Sequence, residues 1–209
     1  MITLYERTDC PFCWKVRLAL VELGIDYKSV ASELGDPHPE VRRLSPVGTV
    51  PVLVDDDVVI WESAIMLDYL DAAYGTTAQL LPKEPAAQVR VRLLHAYSDK
   101  CVGPALRDLV FEKRSKPAAQ WDWKLIESSE QRWRDCQQWL EDRTELKKVD
   151  SAAALSAAEC ALAARAGVAA AYGSPVEREF PAFYSWFARV SKRPSWRAAY
   201  PTSFITANG

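Results

Sequence analysis

The sequence lacks any excess of basic charge. Its 26 lysines and arginines face 28 aspartates and glutamates, a formal net charge of −2. Nucleic acids and anionic membrane surfaces are usually met by a basic face, so neither is expected as the main partner. Histidine is scarce, with 2 in 209 residues. A structural zinc site needs a second ligand pair at suitable spacing. His38, His95, Cys101, Cys136 and Cys160 supply none, so no metal is expected. The 5 cysteines are an odd number. Met1 runs at once into a strand-like stretch, Ile2 to Tyr5, where a secretory peptide would carry a basic start, a longer apolar core and a cleavage site. A disulfide framework is therefore not expected, and the expected compartment is cytoplasmic. Long uncharged apolar runs are missing too. The Ala-rich stretch from Ala152 to Tyr172 holds Glu159 and Arg165 near its middle, which fits a soluble helix and not a membrane span.

What is present is the balance of a soluble globular protein, 49% hydrophobic and 26% charged. The length suits two small domains sharing an interface. Up to about residue 76 the chain alternates between strands and helices. Ile2–Tyr5 reads as a strand, and a helix after Pro11 carries Val16, Leu20 and Leu23 on its pattern and stops at Gly24. Tyr27–Val30 reads as a second strand. Pro51–Val54 and Val58–Trp61 flank Asp55-Asp56-Asp57 as a hairpin, and Glu62–Ala73 is a further amphipathic helix. The expected order is β-α-β-α-β-β-α, the second helix being short, on a single sheet. Residues 77–85, with Pro82 and Pro85, read as a linker. Residues 86–209 read as helix throughout: one long helix over Val89–Phe111, another over Gln120–Asp142, a third opened by a capping box at Ser156 and Glu159, and a fourth from Glu177 to Lys192, ended by Pro194.

The most informative stretch is Cys10-Pro11-Phe12-Cys13, placed where the first strand turns into the first helix. A helix N-terminus presents unpaired N–H groups and about half a positive charge, which favours a thiolate. Cysteines so placed have pKa values of about 3.5–7.5, against about 8.5 when free. Pro11 suits the first helical turn, where its missing N–H has no partner to lose. Cys13 lies one turn on, on much the same face, and is a candidate to resolve a mixed disulfide on Cys10. Packing cysteines are usually inert, which is the reading for Cys101, Cys136 and Cys160.

Together with Thr49-Val50-Pro51, Glu62-Ser63-Ala64-Ile65, Leu80-Leu81-Pro82, Ser156–Glu159 and Arg193-Pro194-Ser195, this motif resembles the cytosolic glutathione transferase superfamily. It looks closest to the cysteine-type, omega-like classes, and the Cys-x-x-Cys motif also resembles glutaredoxins. The resemblance implies a thioredoxin-like α/β glutathione-binding domain over residues 1–76 and an all-α C-terminal domain. It implies glutathione as co-substrate and a homodimer. Cys10 would contact the glutathione sulfur, with Phe12 beside it. A cis Pro51 would present the Val50 backbone to the cysteinyl part, and Glu62 and Ser63 would bind the γ-glutamyl end. Many relatives carry Lys where Thr49 stands, to meet the glycyl carboxylate; here His38, Arg42 or Arg43 are the candidates. The implied activity is thiol transfer or reduction through a Cys10–glutathione mixed disulfide, acting on a small hydrophobic or disulfide co-substrate. Conjugation of glutathione to an electrophile is the alternative, and a non-catalytic binding or regulatory role is a further one.

Overall fold

The computed structural model describes residues 1–143 and 153–205. Ala152 and residues 206–209, counted above in the Ala-rich run and the helical half, lie outside them. Strand β1 (Ile2–Glu6) alternates buried and half-buried residues, the period-two pattern of a strand in a covered sheet. It pairs parallel with β2 (Tyr27–Ala31) and antiparallel with β3 (Val52–Asp55). The hairpin partner β4 (Val58–Ile60) completes the sheet order β2-β1-β3-β4. Its turn places Asp56 at φ 51, a left-handed conformation that Asp tolerates better than most residues.

Helix α1 (Pro11–Glu22) begins with a proline in its first turn. It is closed by Gly24 at φ 68, where the Gly24 and Ile25 amides return to Val21 and Leu20 carbonyls. A short α2 (Pro39–Leu44) and the helix α3 (Ser63–Tyr74) complete the first half. Eight consecutive residues of α1, Cys13 to Leu20, are buried. A helix buried all round must be packed all round. Its neighbours are α3 on the sheet side and, from the second half, α7 (Ala157–Ala171) and α9 (Pro194–Ala199). The alanines of α7 permit this close packing. A Cβ on Gly167 would lie 2.3 Å from the Trp14 ring and 2.6 Å from Trp196, so this position has no room for a side chain.

The second half contains α4 (Pro85–Tyr97), α5 (Gly103–Ser115), α6 (Trp123–Glu141), α7, α8 (Pro181–Val190) and α9. Where one long helix is expected over Val89–Phe111, the structure has two, joined by a π-turn at Ser98–Val102. Pro104 explains the break, because it has no N–H to return to the carbonyl four residues earlier. Pro194 starts α9 where it is expected only to end a helix, consistent with proline's preference for a first helical turn. The capping box forms as read: Ser156 Oγ accepts from the Glu159 amide at 3.3 Å, and Glu159 accepts from the Ser156 amide at 2.9 Å. Arg193 closes the molecule with two hydrogen bonds to the buried Glu22 carboxylate, at 2.9 and 2.8 Å. That clamp ties the start of α9 to the end of α1. No described helix is long and apolar enough to cross a membrane.

Candidate active site around Cys10

Residues 7–9 turn the chain from β1 into α1, and Cys10 is the N-cap, in extended conformation at φ −74 and ψ 121. It is 6% exposed, and Cys13 is fully buried one turn along. The Arg7 amide donates to the Cys13 sulfur at 3.5 Å. A hydrogen bond from the Cys13 thiol is the largest influence on Cys10; burial opposes it, while backbone amides and the Arg7 charge add to it. Together they pull the Cys10 pKa down to about 6, so the thiolate predominates at neutral pH. Cys13 moves the opposite way. Burial pushes its thiol well above the usual range, and its bond to Cys10 and the Cys10 charge push in the same direction. The pair thus divides into an anionic Cys10 and a protonated donor, Cys13.

Cys10 lines a cavity of about 610 Å³, a size common for small-molecule sites. The sheet half supplies Arg7, Phe12, residues 32–35, Gly48, Thr49 and Val50. The helical half supplies Asp99, Arg107, Phe111, Arg114, Arg165 and Tyr172, among others. A hollow of about 680 Å³ beside α6 and α8 holds no cysteine, and its Glu177 and Glu179 pair with Arg134.

The Val50–Pro51 peptide bond is cis, and Val50 borders the cavity. Phe12 is partly exposed there, with Arg165 4.4 Å and Lys15 5.3 Å from its ring centre. Glu62 is the exposed N-cap residue of α3, and its side chain makes no capping bond. Ser63 is the first, buried residue of that helix. Neither Glu62, Ser63 nor Pro51 is part of the cavity wall. His38 is not part of it either: its Nδ1 caps α2 by accepting from the Glu40 amide at 3.2 Å. Arg42 pairs with Asp36 at 2.8 Å and Arg43 with Glu40 at 2.7 Å. The structure therefore gathers Cys10, Phe12 and Val50 at one cavity and leaves the other predicted binders outside its lining.

Residues 4–78 match the family model of the glutathione S-transferase N-terminal domain. A glutathione S-transferase from Rhodospirillum rubrum F11, solved by crystallography, superposes with a TM-score of 0.85 at 28% identity, covering 99% of this chain and 94% of that one. The chain has the glutathione transferase fold. Another solved glutathione S-transferase, from Methylobacillus flagellatus KT and with GSH bound, has a TM-score of 0.80 at 25% identity, covering 97% of this chain and 100% of that one. A curated relative, a stringent starvation protein A homolog of Haemophilus influenzae, is 33% identical over 94 residues, which are 45% of this chain and 44% of that protein. The chain thus matches less than half the length of that relative.

Within this fold the charges from the helical half escape sequence reasoning. Asp99, inside the π-turn, lies 2.6 Å from the buried Lys15 ammonium and 3.4 Å from His95. Burial raises the Asp99 pKa, but the His95 hydrogen bond and the Lys15 charge outweigh it and hold it near 2. Arg165 reaches Asp99 at 3.8 Å across Gly103, where a Cβ would sit 2.8 Å from the guanidinium. Two signals are available. A lone Arg in an alanine helix, and an Asp four residues before Gly-Pro inside a helical run, both break their local pattern.

Proposed function

We propose that this chain is a glutathione-dependent thiol transferase or reductase of the cysteine-type, omega-like kind, with Cys10 as nucleophile. The observation that carries this reading is the Cys10 thiolate, stabilised at a helix N-terminus with its pKa near 6 and bordering a ligand-sized cavity. The Cys10 thiolate attacks the glutathionyl sulfur of a mixed disulfide. A Cys10–glutathione disulfide forms and the substrate thiolate leaves. A second glutathione thiolate then attacks the glutathionyl sulfur, releasing oxidised glutathione and restoring the Cys10 thiolate. Cys13, buried and protonated, serves first as the donor that stabilises this thiolate; attack by Cys13 on the Cys10 sulfur, with its proton passing to the departing glutathione, is the alternative resolving step.

Glutathione is the proposed co-substrate, and the solved relative with GSH bound supports it. The Val50 backbone beside the cis Pro51 would pair with its cysteinyl unit. The α3 N-terminus, with Glu62 and Ser63, would hold its γ-glutamyl carboxylate and ammonium. A cytoplasmic homodimer is the proposed state. A second reading, a non-catalytic binding or regulatory protein, is favoured by the relative named as a stringent starvation protein A homolog.

Intact-mass measurement after incubation with oxidised glutathione separates these readings. Thiol transfer requires one glutathionyl adduct that disappears in Cys10→Ser. In Cys13→Ser the adduct builds up only if Cys13 is the resolver. Conjugation of glutathione to an electrophile that survives in Cys10→Ser would move the assignment to the conjugating enzymes. Absence of both adduct and glutathione binding would favour the regulatory reading.

A further inference from the structure

Arg114, near the end of α5, lies in the cavity wall and is only 9% exposed. Among the described residues no carboxylate or carbonyl engages it. Its Nε is sealed from solvent without a hydrogen-bond partner. The Phe111 ring centre lies 4.4 Å from its guanidinium carbon. Arg107 approaches the same ring, at 5.6 Å, and also lines the cavity without an ion pair. Arg107, Phe111 and Arg114 recur at i, i+4 and i+7, so they share one face of α5. The cavity's other two arginines are paired, Arg7 with Asp9 and Arg165 with Asp99.

A buried guanidinium without a counter-charge is unfavourable, and contact with one aromatic ring offsets only a small part of its lost hydration. Such a group marks a place where an anion arrives. We propose that the α5 face of the cavity is a carboxylate-binding subsite for the co-substrate. Arg114 is its main contact and Arg107 assists. Phe111, Leu106 and Val110 hold the apolar body attached to the carboxylate. The planar guanidinium suits a carboxylate because it can donate two parallel bonds to it. This narrows the proposed reaction, on which it rests, to acidic disulfides or acidic electrophiles carrying an apolar or aromatic segment. Glutathione is also acidic, but its proposed contacts, Val50, Glu62 and Ser63, lie on the sheet half.

The test uses the full chain and a pair of unreactive probes, 4-nitrobenzoate and 4-nitrobenzamide, which differ in charge and little in shape. Titration calorimetry is expected to give the carboxylate about tenfold tighter binding than the amide. Arg114→Gln should abolish that preference, leave glutathione affinity unchanged, and leave the thermal midpoint unchanged or raised. Arg114→Lys should restore part of the preference, since it returns the charge without the planar fork. Equal binding of both probes to the unaltered protein, no binding of either, or a preference that survives Arg114→Gln overturns the subsite. So does a tenfold loss of glutathione affinity in that variant, which would make Arg114 a glutathione contact. The Cys10 adduct is read separately. If it is absent while the carboxylate preference stands, the thiol-transfer reading fails and the subsite does not. If it is present while the preference is absent, only the subsite fails.

Discussion

The two halves of the molecule carry the site in different ways. The sheet half encodes its part locally: Cys10, Phe12 and Cys13 stand in one tetrapeptide, and a single strand-to-helix turn positions them. The helical half encodes its part by assembly. Asp99, Arg114 and Arg165 come from three separate places in the chain, and only packing brings them to the same cavity. Nucleophile chemistry can therefore be inferred from a short motif, because a helix N-terminus supplies the field wherever it occurs. Substrate choice cannot, because it depends on which charges fold to face that nucleophile.

Substitutions can break this division of roles, and the largest effect belongs to Cys10, the proposed nucleophile. Cys10→Ser should remove glutathionyl adduct formation completely while leaving the thermal midpoint at pH 6 or below, where thiolate ionisation contributes little to stability, close to that of the unaltered protein. Mass measurement and thermal unfolding check both halves of that statement. An adduct that persists would move the chemistry elsewhere, to Cys101, the exposed cysteine.

Next comes the join between the halves. Glu22 is nearly buried and receives Arg193 through two bonds and the Leu155 amide at 3.0 Å. Glu22→Ala leaves Arg193 without that carboxylate and is expected to cost about 3 kcal/mol in urea unfolding. A loss under about 1 kcal/mol would show that the clamp behaves as a surface pair. Gly167→Ala should cost about 1–3 kcal/mol, because the added methyl must displace Trp14 or Trp196 in a close-packed interface. No change there would mean that α7 has room to move.

How far the sequence alone reaches follows the same boundary. The order of strands and helices along the first half, the hairpin at Asp55-Asp56-Asp57 and the Ser156 capping box are all legible, because each depends on neighbours within a few residues. The motif at Cys10 is legible for that reason too. The break at Ser98–Val102 is not inferred, because apolar spacing continues across it; Pro104 was the available sign. His38 is read as a ligand candidate, yet its ring is engaged at the start of α2, a role open to residues other than the usual Ser, Thr, Asp and Asn. Of the aromatics Trp14, Tyr97, Phe111, Trp121 and Trp123, only Phe111 lines the cavity. Trp14 is core, and Tyr97 stacks on Trp139 with ring centres 3.8 Å apart.

A smaller effect is expected in stability against pH. The Cys10 pKa is lower in the folded chain than in an unfolded one, so its contribution is fully present above about pH 8.5 and fades as pH falls towards 6. Cys13 is raised, so its contribution is present below about pH 8.5 and is lost as pH rises beyond that. Urea unfolding of the unaltered chain should therefore show a rise in stability between about pH 6 and 8.5 that Cys10→Ser lacks. An identical slope in both proteins would mean that Cys10 is not an anion in the folded state.

The most direct test of the central claim is the pH dependence of Cys10 alkylation by iodoacetamide, read by peptide mass in a Cys101→Ser background. The thiolate is the reactive form, so the rate reports its fraction. A stabilised thiolate predicts a rise with its midpoint at about 6. A midpoint near the free-thiol value of about 8.5 would contradict the account, because the helix terminus, Cys13 and Arg7 would then exert no net pull on the nucleophile.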